Sequence, residues 1–239
     1  MTSAPTFGSV FAGIEGFGLG FERAGWRCLW QVEIDPFCAR VLAARFPGVP
    51  RWGDVRKAGV GGIPLPRPGL LVGGFPCQGL SVAGKRKGLR DDPRSALFFE
   101  FQRLAADLRP RWLLIENVPG LLSSHKGQDF AVLLHALEDL GYAWAYRTLD
   151  SRWFGVPQRR RRVFVLACGC AGGACGCAAE VLLEPEGGGG DFAAGGEAGA
   201  ELAQGLTTRT YKPGFSGGDE NVVPALRHLG SGGPDDNEA

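Results

Sequence analysis

Cys77 lies in Gly73-Gly-Phe-Pro-Cys-Gln-Gly-Leu-Ser, directly behind the apolar run Leu70 to Phe75. A buried strand that stops at a glycine pair and a proline would deliver this thiol to the carboxyl edge of a sheet, where open α/β folds bind ligands. A thiolate there attacks an electrophilic carbon, and Lys85, Arg86 and Lys87 would favour the ionised form if their loop folded over it. The bland alternative is an inert buried cysteine. Glu116, in Trp112-Leu-Leu-Ile-Glu-Asn-Val, would emerge on the same edge, and in a partly apolar setting its carboxyl would stay protonated and act as an acid. Taken alone, Glu-Asn after a strand is more often a cap or turn. The run Gln158-Arg-Arg-Arg-Arg-Val-Phe leads into another strand. Alternation there would send two arginines toward the site and two away, against the alternative of a solvated basic cluster.

Glycines recur through Phe11-Ala-Gly-Ile-Glu-Gly-Phe-Gly, after the first apolar run, where a ligand approaches backbone at the head of a helix. The spacing is not G-x-G-x-x-G, so a nucleotide-like ligand without a pyrophosphate fits better than NAD. Glu33, about 20 residues further on, has the position of an acid that takes ribose hydroxyls. Asp54 in Trp-Gly-Asp-Val would add a hydrogen bond to an adenine amine. Either acid by itself is a surface carboxylate by default.

These residues need a scaffold, and the periodicity supplies one. Strands are expected over Thr6–Ala12, Cys28–Glu33, Leu70–Phe75, Trp112–Val118, Tyr142–Leu149 and Val163–Cys168. Between them fall helices at Phe21–Gly25, Pro36–Phe46, Ser95–Leu108 and Asp129–Leu140. Strand and helix alternating in this way predict a doubly wound, mostly parallel α/β sheet over residues 1–170. Residues 171–200 are expected to be a Cys/Gly-rich loop and linker, since 187–199 hold seven glycines, and 201–239 a partial C-terminal region with an acidic tail.

The composition excludes other classes. With 239 residues, 44% apolar and 21% charged, the chain is neither a disulfide miniprotein nor disordered. No apolar run reaches the roughly 18–20 residues of a membrane span, and the N-terminus lacks a signal pattern, so a cytoplasmic protein is expected. The net charge of +1 hides an asymmetry: residues 1–179 carry 23 Lys/Arg against 14 Asp/Glu (+9), and residues 180–239 carry 3 against 11 (−8). A basic body fits phosphate or nucleic acid, although a solvated face is the commoner explanation of a modest excess. Seven cysteines, an odd number, imply a reducing compartment. Cys168, Cys170, Cys175 and Cys177 are spaced C-x-C, four residues, C-x-C, which is not the usual zinc pairing, and no metal is assigned.

Together these motifs resemble the DNA cytosine C5-methyltransferase family, over about residues 6–168 and in family order. Phe-Ala-Gly-Ile-Glu-Gly is similar to its cofactor motif, Gly-Phe-Pro-Cys-Gln to its nucleophile motif, Glu-Asn-Val to its acid motif and Gln158-Arg-Arg-Arg-Arg to its base-contacting motif. Glu15 departs from the pattern, since many members have glycine there. The resemblance implies a Rossmann-like fold binding S-adenosylmethionine, with Cys77 adding to C6 of a flipped-out cytosine in double-stranded DNA and Glu116 holding N3. Arg162 would contact the cytosine O2, and Arg160 would order the site. Phe11, Ile14 and Gly16 would meet the cofactor at the first turn, Glu33 its ribose, and Ile34, Asp54 and Val55 its adenine, with Pro76 and Leu97 completing the set. Residues Ser81 to Arg94, including Lys85, Arg86 and Lys87, resemble a loop closing on DNA, with Gln158 as a further contact.

Family members continue through a target-recognition region and two closing motifs. Gln204-Gly-Leu-Thr-Thr-Arg resembles the first of these, but no Gly-Asn motif follows, so the expectation is a shortened chain whose final motif is missing or supplied by a separate chain. The rival functions are an RNA cytosine C5-methyltransferase and a non-catalytic nucleic-acid or cofactor-binding remnant. A restriction-modification setting is implied; recognition sequence and oligomeric state are not legible.

Overall fold

The computed structural model describes residues 3–59, 61–76, 97–169 and 177–182. Seven strands among them form one sheet: β1 (Thr6–Val10), β2 (Arg27–Val32), β3 (Arg51–Trp52), β4 (Leu70–Gly73), β5 (Trp112–Asn117), β6 (Ala143–Asp150) and β7 (Arg161–Cys168). Their order is β3-β2-β1-β4-β5-β7-β6. The pairs from β3 to β5 are parallel, while β7 runs antiparallel to both β5 and β6. The expected doubly wound, mostly parallel sheet is therefore present. Its order reverses between β1 and β4, which puts the ligand crevice at the carboxyl ends of these two strands.

Period-2 burial assigns the two faces. Leu71 of β4, Leu113 and Ile115 of β5 and Val163, Val165 and Ala167 of β7 enter one core. There they meet Phe98, Phe101, Leu104 and Ala105 of α3 (Leu97–Leu108), a stripe at helical spacing. Leu121 of α4 (Gly120–Ser123) and Phe130, Leu133 and Leu137 of α5 (Gln128–Asp139) extend this layer. On the opposite face Leu70 and Val72 of β4 join Phe7 and Cys28, covered by Phe17 and Phe21 of α1 (Gly16–Arg23). The remaining long helix, α2 (Pro36–Arg45), is capped by Asp35, whose carboxylate accepts from the Cys38 N–H at 2.8 Å.

Two differences from the sequence expectation have physical causes. Helix α1 begins at Gly16, ahead of the expected Phe21, although glycines disfavour helix by about 1 kcal/mol each. Gly18 is needed there because a Cβ would lie 2.3 Å from Glu15 Cγ. Within the expected linker, Cys177–Leu182 form α6, which buries Ala178 against Ala145, Leu166 and Cys168 of β6 and β7. Cys168 is buried and disulfide-bonded. Cys170 and Cys175, the glycine-rich stretch and the acidic tail lie outside the described residues. No helix among the described residues is long and apolar enough to cross a membrane.

Candidate active site

The carboxyl ends of β4 and β5 lie side by side, with Gly73 paired to Ile115, so the loop after β4 and Glu116 share one edge. Gly74 makes this close approach possible, because a Cβ on it would sit 2.8 Å from Glu116 Oε2. Phe75 is buried against the Phe98 ring, and its carbonyl accepts from Asn117 Nδ2 at 3.4 Å. These contacts anchor the stem from which residue 77 departs. Cys77 itself, with Ser81, Lys85, Arg86 and Lys87, lies outside the described residues.

Antiparallel pairing brings β7 alongside β5 in the register Glu116–Phe164. Arg162 Nε then stands 2.8 Å from Glu116 Oε1, and Arg160 Nη2 reaches the same oxygen at 3.7 Å. Two arginines two residues apart thus converge on one carboxylate, Arg162 from within β7 and Arg160 from the position just ahead of it. The setting of Glu116 is charged, not the partly apolar one expected from the sequence. Asp150, at the end of β6, holds the approach to β7: its Oδ1 accepts from the Arg160 N–H at 3.1 Å and the Arg152 N–H at 3.2 Å. Gln158, in the same connection, is exposed, and its carbonyl accepts from Ser151 Oγ at 2.6 Å.

The second half of the edge is formed by β1 and β2. Phe11 has φ 55° and Gly13 φ 56°, so the chain turns sharply out of β1. Glu33 Oε2 accepts from the Gly13 N–H at 2.6 Å, and Oε1 accepts from the Asp35 N–H at 2.7 Å. One carboxylate therefore ties the two adjacent turns together while keeping lone pairs for a ligand. Ile14 and Ile34 are 53% and 66% exposed, large apolar side chains left open on either side of Glu33. Phe37, at the start of α2, is 62% exposed with the Arg40 guanidinium over its ring at 5.9 Å, and sequence reasoning did not select it. A polar acceptor with open apolar groups next to it in the chain is the kind of lining that small-molecule sites use.

The other expected contacts are less favourably placed. Asp54 is committed locally, accepting from the Arg56 N–H at 3.0 Å and the Arg56 Nε at 2.9 Å, and these bonds hold its carboxyl below the usual range. Val55 is buried in the core and Leu97 packs against it, while Pro76 and Gly16 are half-buried or exposed at the crevice. Cavities of about 450 and 580 Å³ open elsewhere, at the amino ends of the strands around Arg67 and Arg109. That edge carries none of the motif residues. Gly74, Asn117 and Asp150 were not selected from the sequence, since each acts by holding a neighbour and only the register reveals it.

Comparison with known proteins bears on the family and the fold. Residues 6–169 match the family described as C-5 cytosine-specific DNA methylase. The type II methyltransferase M2.BsuMI of Bacillus subtilis is 43% identical over 163 residues, covering 66% of this chain and 41% of that protein. M.DsaV of Dactylococcopsis salina is 38% identical, covering 67% and 44%. The chain thus spans about two fifths of the length of these relatives. Among solved structures, one described as a DNA modification methyltransferase encoded within an E. coli prophage superposes with a TM-score of 0.58 at 25% identity, covering 70% of this chain and 47% of that one. Dnmt2 of S. pombe shares the fold, with a TM-score of 0.53 at 19% identity over 70% of this chain and 50% of its own. With more than half of its length matched and the acid and arginine motifs brought together on one sheet edge, the chain belongs to the C-5 cytosine-specific DNA methylase family.

Proposed function

We propose that the protein transfers a methyl group to C5 of cytosine in double-stranded DNA, through a covalent adduct on Cys77. The observation that carries this is the convergence of Glu116, Arg160 and Arg162 beside the anchored loop that leads to Cys77. Cytosine C6 is a poor electrophile until its N3 side is protonated or strongly hydrogen-bonded. Glu116 would hold N3, Arg162 the O2 oxygen, and the Cys77 sulfur would then bond to C6. Addition makes C5 nucleophilic. S-adenosylmethionine supplies the methyl group when bound, in a crevice that Phe11, Ile14, Gly16, Glu33 and Ile34 would line together with Pro76; of the other residues the resemblance implies, Leu97 and Val55 would act by packing behind it and Asp54 through its Arg56-bound carboxylate. Loss of the C5 proton re-forms the C5–C6 double bond and expels the Cys77 thiolate. Because C6 lies within the base stack, the nucleotide must leave the helix first. Ser81, Lys85, Arg86, Lys87 and Gln158 would hold the phosphates and the displaced base.

The test is to incubate the chain with S-adenosylmethionine and duplex DNA carrying 5-fluorocytosine, whose fluorine blocks the elimination. A denaturation-resistant protein–DNA adduct is expected from the wild type and none from Cys77→Ser, with cofactor binding within a few fold. An adduct formed by the serine variant would move the nucleophile elsewhere. An adduct on tRNA in place of duplex DNA would move the substrate to RNA.

A further inference from the structure

The turn between β1 and α1 contains a carboxyl group that the proposed chemistry does not use. Glu15 is 1% exposed and has φ 64°, a left-handed conformation that glycine adopts without strain. Its N–H donates to the Ala12 carbonyl at 2.8 Å, and its own carbonyl accepts from the Leu19 N–H at 3.1 Å. Its Oε1 accepts from the Gly18 N–H at 3.0 Å, capping α1. One residue thus fastens the turn to the strand behind it and the helix ahead of it. The carboxyl is packed beside Ser9 of β1 and Gln31 of β2, both buried. Yet Oε2 makes no hydrogen bond, and neither does either polar atom of the Gln31 side chain. An ionised carboxylate is costly in such a place. A proton on Oε2 removes that cost and makes the group a donor as well as an acceptor, so that it is able to pair with either polar atom of the neighbouring Gln31 amide.

We propose that Glu15 is a positioning residue for the cofactor: as a neutral acid wedged beneath the Phe11–Gly16 turn it fixes the backbone that meets S-adenosylmethionine, and its ionisation loosens that turn. The proposal rests on the assignment of this crevice to the cofactor. Burial pushes the Glu15 carboxyl up to about 7, against the lowering effect of Ser9, Gly18 and Gln31, and the Glu22 charge on α1 adds to the rise. Cys28 of β2 stays neutral, because burial first, and then the charge on Glu15, push its thiol up to about 12, with Arg51 of β3 acting in the opposite sense. The neutral form therefore prevails below pH 7, and its contribution to the order of the turn is full below the ordinary carboxyl value of about 4.5 and is lost between there and 7. Order and cofactor affinity decline as the pH rises through 7.

The experiment titrates S-adenosylmethionine into the full chain calorimetrically at about pH 6 and about pH 8.5, for wild type, Glu15→Gln and Glu15→Ala. Glutamine keeps the acceptor for Gly18 and supplies a donor at every pH. The wild type is expected to bind roughly tenfold more weakly at the higher pH, the glutamine variant to lose much less, and the alanine variant to bind weakly at both. The glutamine variant also reports any titration of the ligand itself. Without ligand, protection of the Gly13 and Gly18 amides from hydrogen exchange, corrected for intrinsic rates, should fall with pH in the wild type and not in Glu15→Gln. Binding with the same pH profile in wild type and Glu15→Gln overturns this proposal alone. No binding by any of the three overturns the cofactor assignment together with it.

Discussion

Glu116 Oε1 receives both guanidinium groups, Arg162 at 2.8 Å and Arg160 at 3.7 Å, while Oε2 lies against Gly74. The same side chain therefore orders the arginines and, in the mechanism proposed above, is the group that would hold N3 of the base. Glutamine at this position preserves size but removes the charge that the arginines face. Since a positioned acid typically contributes about 100- to 10,000-fold, Glu116→Gln is expected to slow cytosine methylation by that order and to leave DNA binding nearly intact. Methyl incorporation from labelled S-adenosylmethionine and a filter-binding isotherm measure the two quantities. A rate equal to wild type would leave Glu116 only the task of bracing Arg160 and Arg162.

The elements that carry the site tolerate little change in volume. Where β1 crosses the Trp30 indole, Gly8 has no room for a side chain: a Cβ would lie 2.3 Å from Cζ2 and 2.4 Å from Cε2. The indole is fully buried and tethered by Nε1 donating to the Pro66 carbonyl at 2.8 Å, so it does not move aside cheaply. Overpacking of this kind costs about 1–3 kcal/mol. Gly8→Ala should accordingly lower the thermal midpoint by several degrees, as followed by circular dichroism, and a midpoint within about a degree of wild type would show that the indole has room. Six of the seven strands were legible in the sequence, β5 by its alternation with Leu113 and Ile115 buried and β4 as a short continuous apolar run, and α3 by its buried stripe; α2 was marked by the proline at its first turn, and the two-residue β3 was not expected. The start of α1 was not legible, because Gly16, Gly18 and Gly20 argue against helix by propensity, and the fit of Gly18 against Glu15 is visible only in the folded turn. The pairing of Glu116 with Arg162 was legible only as a shared edge. The ion pair follows from the antiparallel register of β7, which no local pattern encodes. The large exposed Ile14, Ile34 and Phe37 show a related limit, since an apolar residue left at the surface has the same sequence signature as one buried in the core.

At the scale of the whole molecule, charge is distributed unevenly along the chain, +9 over residues 1–179 and −8 over residues 180–239. A net charge of +1 gives no reason to expect strong attraction to a polyanion, whereas a body with 23 Lys/Arg against 14 Asp/Glu does. The described edge already presents Arg160 and Arg162 beside the crevice, and the segment 81–94 adds five Lys/Arg. If these residues meet phosphates, binding releases counterions and the affinity for duplex DNA must fall steeply with salt. Replacing Lys85, Arg86 and Lys87 together with alanine should then flatten the slope of log K against log salt by about 0.9 for each phosphate that is no longer neutralised. Deleting residues 228–239, which carry acidic groups and neither Lys nor Arg, should leave binding undiminished or slightly tighter. Fluorescence anisotropy across a salt series separates the outcomes: an affinity indifferent to salt, or a slope unchanged by the triple substitution, would mean that the basic excess is a solvated face and that DNA is held by other groups.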